Sequence, residues 1–175
     1  MNLDKYKKRF ETVYFNESDA IFRYCFFRVS NREVCTDLVQ EIFMRYWDTL
    51  VSDKEVNNDR AFLFTISRNL IIDYYRKKKS VSLDSILEET GDASIVIMDD
   101  KNDPKISAEG RFVLEKIDEL ASQDRQVVYL RFVEGMRPIE IAEVLQVSAN
   151  VVSVRLNRAL DKLREITGID IDKDE

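Results

Sequence analysis

The stretch RAFLFTISRNLIIDYYRKKK, residues 60–79, decides the fold of this chain because its apolar residues recur at the spacing of an α-helix. At about 100° per residue they form two neighbouring stripes, one of Leu63, Ile66, Leu70 and Tyr74 and one of Phe64, Ile71 and Tyr75. Two stripes need packing partners on two sides, so the stretch is predicted to be a helix inside a bundle.

The remaining face of this helix is polar, and its last turn is basic. Thr65, Asn69, Asp73 and Arg76 line the polar face, and the basic run 76–79 lies where the helix dipole favours cations. A basic run of this kind is either solvated surface or a nucleic-acid contact, and the helix alone does not separate the two interpretations.

The composition predicts an all-α protein. Of its 175 residues 45% are apolar and 34% charged, only four are Gly and two Pro, and the alternation typical of strands is hard to find. No apolar stretch approaches the roughly 18 residues that a membrane helix needs, and the start MNLDKYKKRF lacks the apolar core of a signal peptide. We therefore expect a cytoplasmic protein without direct membrane insertion.

Two cysteines and the absence of histidine limit the chemistry of the chain. Cys25 and Cys35 supply too few ligands for a structural zinc site, and every mechanism that needs His is excluded. No glycine-rich phosphate loop or nucleophile motif occurs. The sequence therefore predicts a binding protein that has no cofactor and no catalytic residues.

The net charge of −6 is unevenly distributed along the chain. Residues 1–79 hold 15 Lys/Arg against 12 Asp/Glu, whereas residues 80–105 hold 2 against 7. Residues 106–168 are nearly balanced, with 9 against 10, and residues 169–175 hold 1 against 4. This pattern predicts a basic helical bundle, a flexible acidic linker, a second helical domain and an acidic tail, with the boundaries just given.

The N-terminal bundle is predicted to contain three helices before residue 60. Residues 5–29 suggest two short helices, the second capped by Asn16, and the spacing of Ser30 and Glu33 predicts a capping box that starts a helix reaching about Thr49. The side of that helix opposite its apolar stripe carries Asp37, Gln40, Glu41, Met44, Trp47 and Asp48. Acid beside Met and Trp suggests a protein interface, although Trp47 could instead fold back on its own bundle.

The C-terminal part has the spacing of a helix-turn-helix. A helix over about residues 106–121 is followed by DRQVVYLRFVE, capped by Ser122 and ending at Gly135. Pro138 then opens PIEIAEVL, and a turn leads through the cap Ser148 to ANVVSVRLNRALDKLRE. The outward side of the last helix suits a DNA major groove, with Arg donors for guanine and valines for thymine methyl groups; it carries Asn150, Val151, Val154, Arg155, Arg158 and Lys162.

Three segments, in this order, resemble the sigma-70 family of bacterial transcription initiation factors, in particular its short extracytoplasmic-function type. They are DLVQEIFMRYW (37–47), FLFTISRNLIIDYYRKKK (62–79) and RPIEIAEVLQVSANVVSVRLNRALDKLRE (137–165). The resemblance covers nearly the whole chain except the linker and the tail. The sequence departs from the family pattern at four positions, with Phe62 for Trp, Gln146 for Gly, Val151 for Thr and Ser153 for a basic residue.

The resemblance implies three binding surfaces. Core RNA polymerase would be bound by Asp37, Gln40, Glu41, Met44 and Trp47. The minus-ten element would be melted and held by Thr65, Arg68, Asn69, Asp73, Arg76 and Lys77, with Asn69 at the family's base-contacting position. The minus-thirty-five element would be read by Asn150, Val151, Val154, Arg155, Arg158 and Lys162. An anti-sigma factor is a further expected partner.

The sequence thus predicts a sigma factor that binds core RNA polymerase, directs it to promoter DNA and opens the minus-ten element without catalysing a reaction itself. Two alternatives remain at this point. A helix-turn-helix transcriptional regulator would bind DNA without being a polymerase subunit. An enzyme that uses Asp and Glu alone would need a deep acidic pocket.

Overall fold

The computed structural model describes residues 3–81, 116–117 and 119–168. Every secondary-structure element within these ranges is helical, which confirms the all-α fold. The helices fall into two units that divide between residues 93 and 94. The predicted tail and all but the first two residues of the predicted linker lie outside the described ranges. No helix in the described part of the chain is long and apolar enough to cross a lipid bilayer.

Three long helices form the first unit: α1 (Leu3–Val29), α2 (Arg32–Val51) and α3 (Asp59–Val81). Each of them contacts the other two. Their shared core is apolar and aromatic, and its members include Ile21, Tyr24, Cys25, Cys35, Ile42, Tyr46, Leu50, Leu63, Phe64, Leu70 and Ile71. Both apolar stripes of α3 therefore pack inward, as the sequence predicted for a helix inside a bundle.

The prediction of two short helices within residues 5–29 is wrong, because α1 continues through Asn16. The rings of Phe10 and Tyr14 lie one turn apart with centroids 6.0 Å apart, and both contact Phe43 of α2. An Asn cap contributes only about 1 kcal/mol to a helix start. Continuous aromatic packing along α2 outweighs that local preference and favours one long helix.

The predicted capping box of Ser30 and Glu33 is also wrong. The backbone of Ser30 is left-handed, with φ 53°, and its N–H donates to the Phe26 carbonyl at 2.8 Å, which ends α1. Asn31 caps α2 instead, because its side-chain oxygen accepts a hydrogen bond from the Val34 N–H at 3.0 Å. Only two residues join the two helices, so Ser30 makes the turn and Asn31 is left to cap.

The second unit contains α4 (Ser122–Val128), a π-helical turn (Tyr129–Val133), α5 (Pro138–Leu145) and α6 (Ala149–Thr167). Ser122 is the first residue of α4, and the cap position belongs to Ala121, which has no polar side chain; the predicted cap is wrong by one residue. Of the helix predicted over residues 106–121, only fragments lie within the described ranges.

Between α4 and α5 the helix continues as a π-helical turn, which is wider than an α-helical turn. The Glu134 N–H donates to the Tyr129 carbonyl at 3.2 Å, five residues back rather than four. The carboxylate of Glu134 is buried and accepts a hydrogen bond from the Tyr129 hydroxyl at 2.9 Å. This contact satisfies a charged group that burial would otherwise destabilise.

Helices α5 and α6 form the predicted helix-turn-helix. Pro138 is the first residue of α5, and Gln146 ends that helix in a left-handed conformation, with φ 56°, where Gly is the common residue. Ser148 caps α6 by accepting a hydrogen bond from the Val151 N–H at 3.3 Å. The core side of α6 is formed by Val152, Ala159, Leu160 and Leu163, whereas Leu156 is only partly buried.

Candidate polymerase and nucleic-acid interfaces

The side chains on the polar face of α3 differ in their exposure and in their hydrogen bonding. Asn69 is exposed, and its amide has no hydrogen-bond partner among the described residues. Its neighbours are engaged within the helix: the Thr65 hydroxyl donates to the Ala61 carbonyl at 2.8 Å, and Asp73 pairs with Arg76 at 3.0 Å. Arg68 is half-buried, and Lys77 is exposed beyond this pair.

The rest of α3 holds that face rigidly. Phe64 is fully buried and meets the ring of Tyr24 edge-on, with centroids 5.1 Å apart. Near the other end of the helix, the Tyr75 hydroxyl donates to the Arg28 carbonyl of α1 at 2.6 Å. Asn69 lies between these two attachments, so its amide is mounted on a fixed backbone.

Sequence reasoning missed the contacts that hold the start of α3. Arg9 of α1 donates to both carboxylate oxygens of Asp59, at 2.7 and 3.1 Å, and to the Val56 carbonyl at 2.7 Å. The hydrogen bond to Asp59 raises the pKa of the Arg9 guanidinium. Arg60 pairs with Glu17 of α1 at 2.7 Å. These partners lie 43 to 50 residues apart in the chain, so no local pattern predicts them.

The outer face of α2 brings together four of its five predicted polymerase-binding residues. Asp37, Gln40 and Met44 are exposed, Met44 to 62%, and Glu41 is half-buried and paired with Arg45 at 2.7 Å. The fifth, Trp47, is half-buried, and its ring meets Phe10 of α1 edge-on at 5.5 Å. Part of the Trp47 side chain therefore packs on its own bundle, as in the alternative interpretation, and part of it stays exposed.

The outward side of α6 divides into two parts. Asn150 and Val154 are exposed near its beginning, Val151 and Arg155 are half-buried there, and Arg155 has no hydrogen-bond or ion-pair partner within the described ranges. Lys162, two turns later, pairs with Glu165 at 3.0 Å. The beginning of α6 thus carries an exposed Val154 next to an Arg155 that has no partner within the described ranges.

Arg158, predicted to read DNA, forms an ion pair with another helix of the second unit, although its side chain is 60% exposed. Its Nε donates to one carboxylate oxygen of Asp124 at 2.8 Å, and its Nη2 donates to the other at 2.5 Å. Asp124 belongs to α4 and is only 5% exposed. This carboxylate raises the pKa of the Arg158 guanidinium through the hydrogen bonds and the charge.

Both cysteines are buried and reduced. Cys25 of α1 and Cys35 of α2 have no exposed surface, and neither forms a disulfide. Burial raises the pKa of both thiols, because the thiolate is poorly solvated in the core. Both residues therefore pack in the core of the first unit.

Comparison with known proteins identifies both units. Residues 16–81 match the family model for sigma-70 region 2, and residues 113–163 match the model for sigma-70 region 4. The two matches together span well over half of the chain. The first covers α2, α3 and the second half of α1, and the second covers α4, α5 and most of α6.

Curated relatives and solved structures agree with these matches. The chain is 27% identical over 158 residues to the ECF RNA polymerase sigma factor BldN of Streptomyces coelicolor, covering 90% of this chain but only 60% of BldN. It is 28% identical over 154 residues to the ECF RNA polymerase sigma factor SigW of Bacillus subtilis, covering 84% of this chain and 82% of SigW. The fold is similar to that of the sigma factor RpoE from Bartonella quintana, solved with the anti-sigma factor NepR, at a TM-score of 0.67, 22% identity and coverage of 94% and 99%.

The chain belongs to the sigma-70 family of transcription initiation factors. Its relatives are of the extracytoplasmic-function type, and its function is to direct RNA polymerase to promoters. A helix-turn-helix regulator that works apart from polymerase does not account for the region 2 match over residues 16–81.

Proposed function

We propose that three faces of the described helices divide the work of this sigma factor. The outer face of α2 docks on core RNA polymerase, the polar face of α3 holds the melted minus-ten element, and the first half of α6 reads the minus-thirty-five element. The protein does this in the cytoplasm and catalyses no reaction itself. One observation supports this division. Asn69 on α3 and Arg155 on α6 have no hydrogen-bond or ion-pair partner among the described residues, and the opposite face of each helix is buried.

On α2, the exposed residues combine acid with an apolar side chain. Asp37 and Gln40 flank a face on which Met44 is 62% exposed. Met is enriched in protein interfaces, and its flexible thioether adapts to a partner surface. Acid beside it suits a partner with basic residues, since complementary charge speeds association and fixes the orientation of the complex.

On α3, Asn69 offers an amide donor and an amide acceptor, which suits the edge of a base taken out of the stack. Unstacking a base costs a few kcal/mol, and hydrogen bonds from a prepositioned amide offset part of that cost after the strands separate. The basic residues that follow, Arg76 and Lys77, are exposed and suit the phosphate backbone.

On α6, Arg155 and Val154 lie within the first half of the helix, where recognition helices contact base edges. An Arg fork matches guanine, and a Val methyl group matches the methyl group of thymine. The pair therefore suits a site that contains both bases.

An anti-sigma factor is a further proposed partner. RpoE, which shares this fold, was solved in complex with the anti-sigma factor NepR. A protein of that class would hold the sigma factor away from polymerase in the resting state, and it would co-purify with the chain from resting cells.

Promoter-specific transcription with purified core polymerase tests the proposal. The full chain should produce a run-off transcript from promoters of its own genome that core polymerase alone does not produce. Variants in which Asn69 or Arg155 is replaced by Ala should lose most of that transcript while remaining folded. A full-length transcript from both variants would refute the division of work between α3 and α6.

A further inference from the structure

Arg158 faces outward on the recognition helix, yet its guanidinium is held by a buried carboxylate of another helix. Two hydrogen bonds, at 2.8 and 2.5 Å, join its fork to both oxygens of Asp124. A bidentate Arg–carboxylate pair fixes distance and also angle, because the two planar groups must lie side by side. Asp124 is 5% exposed, so an Arg158 that moved to DNA would leave a buried charge without its partner.

The pair lies at the edge of the apolar contact between α4 and α6. That contact is formed by Val128 of α4 and by Ala159 and Leu163 of α6, together with Leu120, two residues before α4 begins. Asp124 lies one turn before Val128, and Arg158 directly precedes Ala159. Apolar contacts have no direction, and a small residue such as Ala159 resists sliding or rotation of the helices only weakly. The ion pair adds the missing directional constraint.

The place of Arg158 along α6 also argues against a base contact. Arg158 follows the first residue of the helix, Ala149, by nine positions, about 13 Å along the axis. Recognition helices contact base edges mainly through their N-terminal residues. Arg155 lies three positions before Arg158 and is its neighbour on the helix surface, so a rotation of α6 that moves one moves the other.

We propose that Arg158 is a positioning residue and not a reader of promoter DNA: its ion pair with Asp124 fixes the rotation of α6 about its axis and thereby aims Arg155 at the base edges. This inference rests on the proposed role of α6 in reading the minus-thirty-five element. Asp124, an acidic residue of a different helix, then belongs to the recognition apparatus without touching DNA.

The direction in which one substitution changes promoter binding distinguishes the two roles of Arg158. Asp124→Asn removes a negative charge and releases Arg158. If Arg158 read DNA, this change would strengthen promoter binding or leave it unchanged. If Arg158 positions α6, the same change should lower specific binding by roughly ten-fold, comparable to one mismatched base pair.

The measurement is closed-complex affinity of the full chain with core polymerase, on a promoter fragment and on the same fragment with a scrambled minus-thirty-five element. The ratio of the two affinities should fall similarly for Asp124→Asn, Arg158→Gln and the double variant, because all three break the same pair. Arg158→Lys keeps the charge but not the planar fork, so it should also lower the ratio of the two affinities most of the way to the value for Arg158→Gln. The slope of affinity against salt should stay as in the wild type, since no phosphate contact is removed.

Two controls complete the design. Asp161→Asn removes the same charge from an exposed position of α6 and should leave the ratio unchanged. Arg155→Ala tests the reader itself: if it keeps the full ratio, the proposed role of α6 is wrong. If Arg155→Ala loses the ratio while Asp124→Asn keeps or raises it, only the positioning role is wrong. Thermal unfolding followed by circular dichroism checks each variant, and if Asp124→Asn does not fold at the assay temperature, a full ratio for Arg158→Lys overturns the inference by itself.

Discussion

Replacing Asn69 by Ala should uncouple promoter opening from promoter binding. The Asn69 side chain is exposed and has no partner among the described residues, so its removal should change the free energy of unfolding by less than about 0.5 kcal/mol. Two amide hydrogen bonds to a flipped base contribute about 1–3 kcal/mol together. The ratio of open to closed complex should therefore fall by roughly five- to 150-fold, while closed-complex affinity stays near that of the wild type.

Permanganate footprinting of unpaired thymines measures the open fraction on duplex templates and on templates already unpaired at the minus-ten element. The defect should be largely relieved on the unpaired template, because the strands no longer need to be separated. Binding is titrated at one fixed salt concentration, since phosphate contacts make the affinity depend on salt. Asn16→Ala, at an exposed position of α1, is the matched control and should open the duplex normally. Normal opening by Asn69→Ala, or an equal defect on both templates, would refute the role given to this side chain.

Three further results are expected from the first unit. Charge reversal at Asp37 and Glu41 should weaken binding to core polymerase in a pull-down without unfolding the bundle, because both lie on the outer face of α2. Cys25 and Cys35 should react with a thiol reagent only as fast as the native protein unfolds, because both are buried and the pKa of each thiol is raised. Phe64→Ala should lower the free energy of unfolding in urea by about 3–5 kcal/mol, because this ring is fully buried.

Each of these results has its own counter-result. A matched reversal at Glu11 and Asp19, exposed on α1, should leave polymerase affinity unchanged, and equal losses from both double variants would make the effect one of net charge. Rapid labelling of native cysteines would show that the α1–α2 core opens locally. Phe15 is 86% exposed, so Phe15→Ala should cost little, and an equal cost at both positions would contradict the packing of α3.

Periodicity predicted what depends on one helix at a time. The two apolar stripes of α3 followed from spacing alone, because a helix rotates by about 100° per residue whatever surrounds it. The first residues of α5 and α6 were predictable for a similar reason, since Pro138 and the cap Ser148 favour their positions through local backbone chemistry.

Properties that depend on distant contacts were not predictable in this way. Asn16 has the chemistry of a cap, but the rings of Phe10 and Tyr14 pack on a different helix and keep α1 continuous. Arg155 and Arg158 are the same residue type on the same side of α6, and only the fold reveals that Asp124, 34 residues before Arg158, engages one of them. Because the sequence does not reveal this contact, the resemblance to the sigma-70 family implied one role for both arginines, which is to read the minus-thirty-five element.

The wide turn at residues 129–133 makes the length of the chain, and not only its composition, part of the recognition apparatus. A π-helical turn holds one more residue than an α-helical one, so deleting a single residue there should rotate α4 by about 100° relative to the residues that follow the turn. Asp124 would then point away from Arg158, although every side chain of the pair and of the DNA-facing surface was still present. A homologue without the extra residue needs another tie between these helices, and an insertion or deletion in this turn is therefore as informative about promoter recognition as a substitution on α6.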